Sequence, residues 1–177
     1  MTIFPDSEVR IEVPTSIKSL AFLMIVSVLI YTSYFICVHA FLKAAPICVI
    51  VCIINIILHE NAHAFVISQC SDVKCIISYA NIFPNCSFVK NVPIGVFRIA
   101  CLAPLVPLSL LLMITIGISI IPTSLWLKLG FVLASFLGFL GTFGDLYYFF
   151  ATIHLPSQSV AVDYGSYVVV KQPCIDS

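Results

Sequence analysis

The chain alternates between long, uncharged apolar segments and shorter polar ones. Four apolar segments predict helices at residues 20–42, 46–68, 97–121 and 124–153. A segment of about 20 apolar residues is long enough to span the hydrocarbon core of a bilayer. The pattern therefore predicts an all-α membrane protein, built as a bundle of about four transmembrane helices over residues 20–153.

Prolines punctuate two of these segments. Lys43 and Pro46 indicate a tight connection between the first two helices, because proline suits the first turn of a helix and lysine suits the membrane interface. Pro104 and Pro107 lie in the third helix, and each removes a backbone hydrogen-bond donor. We therefore expect the third helix to bend.

The polar loop at residues 69–96 favours a short β-hairpin. Its apolar runs, Cys75–Ile82 and Ser87–Val92, predict two strands around a turn at Phe83-Pro84-Asn85. A hairpin in this position would have an exposed edge.

The two ends of the chain are less regular. Residues 1–19 form a polar N-terminal segment that lacks the form of a signal peptide. Residues 154–177 form a tail in which valines alternate with tyrosines and glycines, a pattern compatible with a strand or with a segment at the membrane surface.

The composition agrees with a membrane setting. Hydrophobic residues make up 61% of the chain and charged residues 9%, and the mean hydropathy is +1.14. A net charge of zero gives no sign of a nucleic-acid partner, so the expected partners are lipids and membrane-associated polypeptides. The eight cysteines show no C-x-x-C spacing and are expected to be mostly reduced.

Basic residues predict the orientation. With four spanning helices, both termini lie on the same side of the membrane, together with the loop at residues 69–96. That side carries six lysines and arginines and the other side two, so the termini are expected to be cytosolic. The six are Arg10, Lys18, Lys74, Lys90, Arg98 and Lys171, and the two are Lys43 and Lys128.

The second helix contains the segment His59-Glu60-Asn61-Ala62-His63. Residues four apart lie on the same face of a helix, so both imidazoles can reach one ion while Glu60 points to the side. In the H-E-x-x-H pattern, one nitrogen of each histidine binds Zn²⁺, and the glutamate accepts and donates protons at a water molecule on the metal. The segment therefore predicts a zinc site inside an apolar helix.

A second interpretation treats these polar residues as a cluster that joins helices. A charged or imidazole side chain deep in a spanning helix costs on the order of 2–3 kcal/mol, so three such residues together favour a polar function. On the fourth helix, Asp145 ends a stripe of small residues formed by Ala134, Gly138 and Gly141, which lets two helices approach closely. Asp145 could be a third ligand, a helix-pairing residue or a proton relay.

The predicted helices place the two halves of such a site at different depths. At 1.5 Å per residue, His59 lies about 20 Å and Asp145 about 30 Å from the outer ends of their helices. Helix tilt or an earlier helix start must absorb this difference.

Several segments, by their order and spacing, resemble those of a known family. They are Leu58 to Ala64, the helix with Pro104 and Pro107, Gly144-Asp145-Leu146, and Val162-Asp163-Tyr164-Gly165. After Pro46 the chain is similar to small zincin membrane peptidases related to site-2 proteases. This resemblance implies an intramembrane protease fold with zinc held by His59, His63 and Asp145. It also implies that Glu60 is the catalytic acid and base.

The implied function is zinc-dependent hydrolysis of peptide bonds in membrane-associated substrates. Asn81, Asn85 and Asn91 are candidate oxyanion donors, and no spacing selects among them. The alternative is a non-catalytic metal-binding membrane protein, either a metal carrier or an inactive protease-like regulator. A carrier would show further ligands along a path, for which Cys48 and Cys52 are the candidates.

Overall fold

The protein is mostly helical and also contains short strands. The computed structural model describes residues 7–35, 38–78, 85–88, 90–164 and 167–172. The helices are α1 (Thr15–Phe35), α2 (Val38–Cys70), α3 (Ile94–Leu102), α4 (Leu105–Ile120), α5 (Leu125–Gly141) and α6 (Phe143–Thr152). The strands are β1 (Ser7–Ile11), β2 (Ile76–Ser78), β3 (Asn85–Ser87), β4 (Val92–Pro93), β5 (Val160–Asp163) and β6 (Val168–Gln172).

Within the described residues, three helical segments are long and apolar enough to cross a membrane. They are Ala40–Cys70, Ile94–Ile120 and Leu125–Thr152. The prediction of long spanning helices is confirmed for these three. The first helix begins and ends earlier than residues 20–42, and its apolar stretch Thr15–Tyr31 is shorter than the other three. A fourth membrane span therefore stays a prediction.

The predicted connection at Lys43 and Pro46 is wrong. Both residues lie inside α2, which begins at Val38. Pro46 removes one helical hydrogen bond, a defect that membrane helices tolerate when other groups satisfy the freed carbonyl. With the earlier start, His59 lies about 31 Å along the helix from its first residue. The earlier start of α2 thus lengthens the shorter of the two predicted distances to about the value predicted for Asp145.

The third apolar segment is interrupted at one of the two prolines from which a bend is predicted. The α3 helix ends at Leu102, Ala103 and Pro104 form a turn, and α4 begins at Leu105. The fourth apolar segment is also interrupted, since α5 ends at Gly141 and α6 begins at Phe143. Each of these two apolar segments thus consists of two helices in succession.

The chain divides into two compact units. The first unit comprises Met1–Val13, Glu60–Pro104 and Gly144–Ser177. The second unit comprises Pro14–His59 and Leu105–Phe143. The α2 helix runs through this division without interruption, so its two histidines keep the spacing of one continuous helix.

The first unit contains an antiparallel sheet with the strand order β1-β6-β5-β4. Val92, Ala161 and Val170 are fully buried in its core, where they pack with Ile67 of α2. The Nη2 atom of Arg98 donates to carbonyls at the end of α6 and just beyond it, those of Thr152 and Leu155.

The sheet corrects the expectation of an all-α fold. The tail forms two strands, and a third strand lies in the segment at residues 1–19 that was expected to be only polar. Strands of two to five residues give too short a hydrophobic pattern to be recognised alone, and β1 pairs with β6 from the opposite end of the sequence.

The predicted hairpin is present between α2 and α3, with shorter strands. The β2 and β3 strands pair antiparallel, with Ile77 opposite Cys86. The second strand begins at Asn85 instead of Ser87, and the proposed turn residues Phe83 and Pro84 lie outside the described residues. Within the described part of the chain β2 pairs only with β3, so its outer edge is open.

In the second unit, α5 packs closely against α2. Ala134 is fully buried, as the small-residue stripe predicts. A Cβ atom added at Gly138 would lie 2.7 Å from the Nδ2 atom of Asn55, whereas one added at Gly141 would meet nothing within 4 Å. The stripe also continues one turn earlier, to Gly130. A Cβ atom there would lie 2.9 Å from the Cγ2 atom of Ile47 and 3.1 Å from the carbonyl oxygen of Ala44.

Gly130→Ala is expected to destabilise the fold by about 1–3 kcal/mol, because the new methyl group would overlap Ile47 and a backbone carbonyl that cannot rotate away. Gly141→Ala is the matched control and should leave stability unchanged or slightly raised. Thermal unfolding in detergent measures both. Equal melting temperatures for the two variants would show that α5 does not approach α2 this closely.

Candidate metal centre

Two histidines and an aspartate converge within the described residues. His59 and His63 lie one turn apart on α2, and Asp145 lies in the first turn of α6. Each offers one ligand atom, and the three atoms all lie within 4.8 Å of one another. All three side chains are half-buried. The group could therefore hold a metal ion.

The ring of His63 is oriented by a backbone carbonyl. Its Nδ1 atom lies 2.9 Å from the carbonyl oxygen of Ala100 on α3. A carbonyl can only accept, so Nδ1 carries the hydrogen and donates it. In the neutral ring, Nε2 then carries a lone pair, and Nε2 lies 3.3 Å from the Oδ1 atom of Asp145. The side of the ring that can bind a metal thus faces the carboxylate.

The distance between His63 and Asp145 fits a zinc ion. Zinc bonds to histidine nitrogen and carboxylate oxygen are about 2.0–2.1 Å long, so two ligand atoms of a tetrahedral site lie about 3.3–3.4 Å apart. The separation of 3.3 Å between Nε2 of His63 and Oδ1 of Asp145 matches this value. Two imidazoles and one carboxylate also form a common donor set of catalytic zinc sites, which keep a fourth position open. Metal-binding histidines usually donate their other ring hydrogen to a carbonyl or carboxylate, as His63 does.

The break after α5 places Asp145 at the start of a new helix. The backbone N–H of Thr142 bonds to the carbonyl of Phe139, which ends α5, and Thr142 is almost fully buried. The first turn of a helix has unpaired N–H groups and a positive dipole end, both of which stabilise a carboxylate.

Glu60 lies next to the histidines and is held by the hairpin. The backbone N–H of Cys86 on β3 donates to the Oε2 atom of Glu60 over 2.7 Å. One residue after His59, Glu60 points to a neighbouring face of α2, as the sequence pattern predicts. The donor was not predicted, because every residue except proline carries a backbone N–H and no side-chain type marks this one.

A family model described as "putative zincin peptidase" matches residues 52–160, more than half of the chain. The chain belongs to this putative zincin peptidase family. No curated protein and no solved structure matches the chain. The matched residues of the zincin peptidase family include the two histidines, Glu60 and Asp145.

Four asparagines come next, of which Asn81, Asn85 and Asn91 are the candidate oxyanion donors. Asn91 is exposed, Asn81 lies outside the described residues, and the side chain of Asn85 is likewise not described. Asn55 is buried beside Gly138. No oxyanion donor is therefore assigned from the described part of the chain.

The cysteines with described positions are free thiols, in agreement with the expected reduced state. They are Cys48, Cys52, Cys70, Cys75, Cys86 and Cys101. The Sγ atoms of Cys48 and Cys52 lie 4.0 Å apart, and no second group of three or more metal-ligating side chains occurs among the described residues. Beside the hairpin, a hydrogen bond between the Cys75 and Cys86 thiols lowers the pKa of Cys75 and raises that of Cys86.

Proposed function

We propose that this protein is a zinc-dependent intramembrane endopeptidase, similar to site-2 proteases, that cleaves membrane-associated polypeptides. The convergence of His59, His63 and Asp145 beside Glu60 carries the proposal. Membership of the zincin peptidase family supports the chemistry, and the three long apolar helical segments support the membrane setting. The charge distribution supports an orientation with both termini in the cytosol.

His59, His63 and Asp145 would hold the zinc ion. A zinc ion bound there supplies Lewis acidity, which acidifies a water molecule and polarises the carbonyl of a peptide bond. Ala100 keeps His63 in the tautomer that has a lone pair on Nε2. The half-buried setting limits the access of bulk water and strengthens the electrostatic interactions of these groups.

Glu60 is the proposed acid and base. The N–H of Cys86 engages Oε2, so Oε1 is the oxygen that accepts a proton from water. Glu60 then donates this proton to the amine that leaves when the peptide bond breaks. The bond from Cys86 fixes the carboxylate in position through both steps, and a positioned acid-base group contributes typically about 10²–10⁴-fold to a rate.

The open edge of β2 is the proposed binding surface for the substrate backbone. The hairpin also contains Cys86, so a peptide that pairs with β2 would lie on the same two-stranded sheet that holds Glu60. Ile76 of β2 is 63% exposed and available to a partner. An extended peptide can add to such an edge by backbone hydrogen bonds.

Proline substitutions along β2 test this surface. Backbone N–H groups of alternate residues face opposite edges of a strand. One of the two variants Ile76→Pro and Ile77→Pro removes the backbone N–H that faces the open edge of β2. That variant should lower kcat/KM about tenfold and leave bound zinc unchanged. Alanine at the same positions is the control for lost side chains. If neither proline variant changes turnover, substrate does not pair with β2.

Metal analysis tests the proposed site directly. Purified wild-type protein should contain about one zinc per chain, and His59→Ala should lose it, because one of three ligands is removed. His154→Ala is the matched control, since His154 is exposed and lies beyond α6. Absence of zinc from both wild type and His59→Ala, after purification without chelators, would contradict the proposal.

A further inference from the structure

We propose that Pro104 is a positioning residue for His63. It has no backbone N–H, and it thereby leaves the carbonyl of Ala100 available to accept the hydrogen of His63 Nδ1. The proposal rests on the proposed metal site and adds to it the residue that keeps the acceptor of the Nδ1 hydrogen available.

The hydrogen bonds of α3 show why the carbonyl is available. In an α-helix the carbonyl of residue i accepts from the N–H of residue i+4, which for Ala100 is residue 104. Pro104 has no N–H to donate. The N–H of Ala103 is shared between the carbonyls of Ile99, at 3.0 Å, and Ala100, at 3.1 Å. The Ala100 carbonyl therefore keeps acceptor capacity that an uninterrupted helix would use.

The proline ring also favours the observed direction of this carbonyl. A proline within a helix clashes with the carbonyl of residue i−4, which here belongs to Ala100. The helix ends at Leu102, and Ala103 and Pro104 form a turn, so the clash is relieved by interruption of the helix. The carbonyl is left able to reach across to α2, where Nδ1 of His63 lies 2.9 Å away.

Burial makes this hydrogen bond important for both partners. Ala100 is 2% exposed, so water has little access to this carbonyl. A carbonyl oxygen can accept two hydrogen bonds, and the imidazole hydrogen supplies the second beside the shared N–H of Ala103. In return, His63 is held with Nδ1 donating to Ala100 and with Nε2 toward Asp145. A residue with an N–H at position 104 would compete with His63 for the same oxygen.

Pro107 provides a matched comparison in the same segment. It lies in the first turn of α4, where the N–H groups have no helical partner in any case. Replacing it removes a proline ring from the same region but returns no donor to Ala100. A general effect of proline on helix continuity should therefore appear at both positions, and the effect on His63 only at position 104.

The test compares Pro104→Ala and Pro107→Ala by two measurements. The first is the zinc dissociation constant, obtained by competition with a chelator. The second is the ¹⁵N NMR spectrum of the metal-free protein, in which the shift of the Nδ1 signal of His63 reports its hydrogen bond to Ala100. The signal is assigned by its loss in His63→Ala. Pro104→Ser also restores the N–H and should behave as Pro104→Ala does.

We expect Pro104→Ala to raise the zinc dissociation constant about 10–100-fold, the usual effect of losing a partner of a metal-binding histidine. The Nδ1 signal of His63 should shift as its hydrogen bond to Ala100 weakens, and Pro107→Ala should match wild type. An unchanged Nδ1 signal and unchanged zinc affinity in Pro104→Ala, or equal changes in Pro107→Ala, would overturn the inference. If wild type binds no zinc, the proposed function fails, and the Nδ1 signal still decides the role of Pro104.

Discussion

Glu60→Gln is expected to lower kcat for peptide cleavage by about 10²–10⁴-fold while leaving bound zinc unchanged. Glutamine has the shape of glutamate and retains an oxygen that can accept the N–H of Cys86, so the hairpin contact should persist. It cannot accept and return a proton at neutral pH. Cleavage of single-span model peptides by the zinc-loaded protein in detergent, followed by mass spectrometry, measures the loss.

Glu12→Gln is the matched control, because the side chain of Glu12 is 52% exposed and follows β1 in the sequence. It should cleave at the wild-type rate. The same comparison separates a peptidase from a metal carrier or an inactive regulator, since neither of these needs a base at position 60. Wild-type cleavage by Glu60→Gln would rule out the proposed role of this residue.

Asp145→Asn is expected to weaken zinc binding by more than about a hundredfold. A group that only hydrogen-bonds to a metal ligand already contributes about 10–100-fold to metal affinity. Asp145 is proposed to be a direct ligand, so its loss should cost more. The substitution keeps the shape of the side chain but removes the charge that faces His63. Chelator competition measures the affinity, and circular dichroism of the metal-free protein shows whether the helices remain.

Asp72→Asn is the control for this prediction, because Asp72 is exposed just after α2 and offers no atom to the group of three ligands. If Asp145→Asn bound zinc with wild-type affinity, the zinc ligands would not include Asp145 of α6. The pairing of His63 with Asp145 would then be an ordinary contact between two helices, as the alternative interpretation of the sequence held.

The sequence predicts the parts of this site that repeat along a helix. The spacing of His59 and His63 places them on one face, and the small residues before Asp145 predict a close helix approach, which Ala134 and Gly138 make. These features follow from the periodicity of a single helix. Long apolar segments can likewise be recognised from composition alone.

Contacts of backbone groups could not be predicted in the same way. The carbonyl of Ala100 and the N–H of Cys86 are present at almost any residue, and only the fold decides which side chain they meet. Pro104 gave a partial signal, because a proline leaves one carbonyl without its donor, but the sequence does not say which side chain will use it. The start of α2 was misplaced because Pro46 is tolerated inside a membrane helix.

The order of the ligands along the chain sets the timing of assembly. His59 and His63 are synthesised roughly 80 residues before Asp145. At 5–20 residues per second, the ribosome needs about 4–16 s to add the third ligand. During that interval the nascent chain carries two imidazoles and a glutamate without the carboxylate that would complete the donor set. The proposed zinc site can therefore be complete only late in biosynthesis, well after α2 has been synthesised.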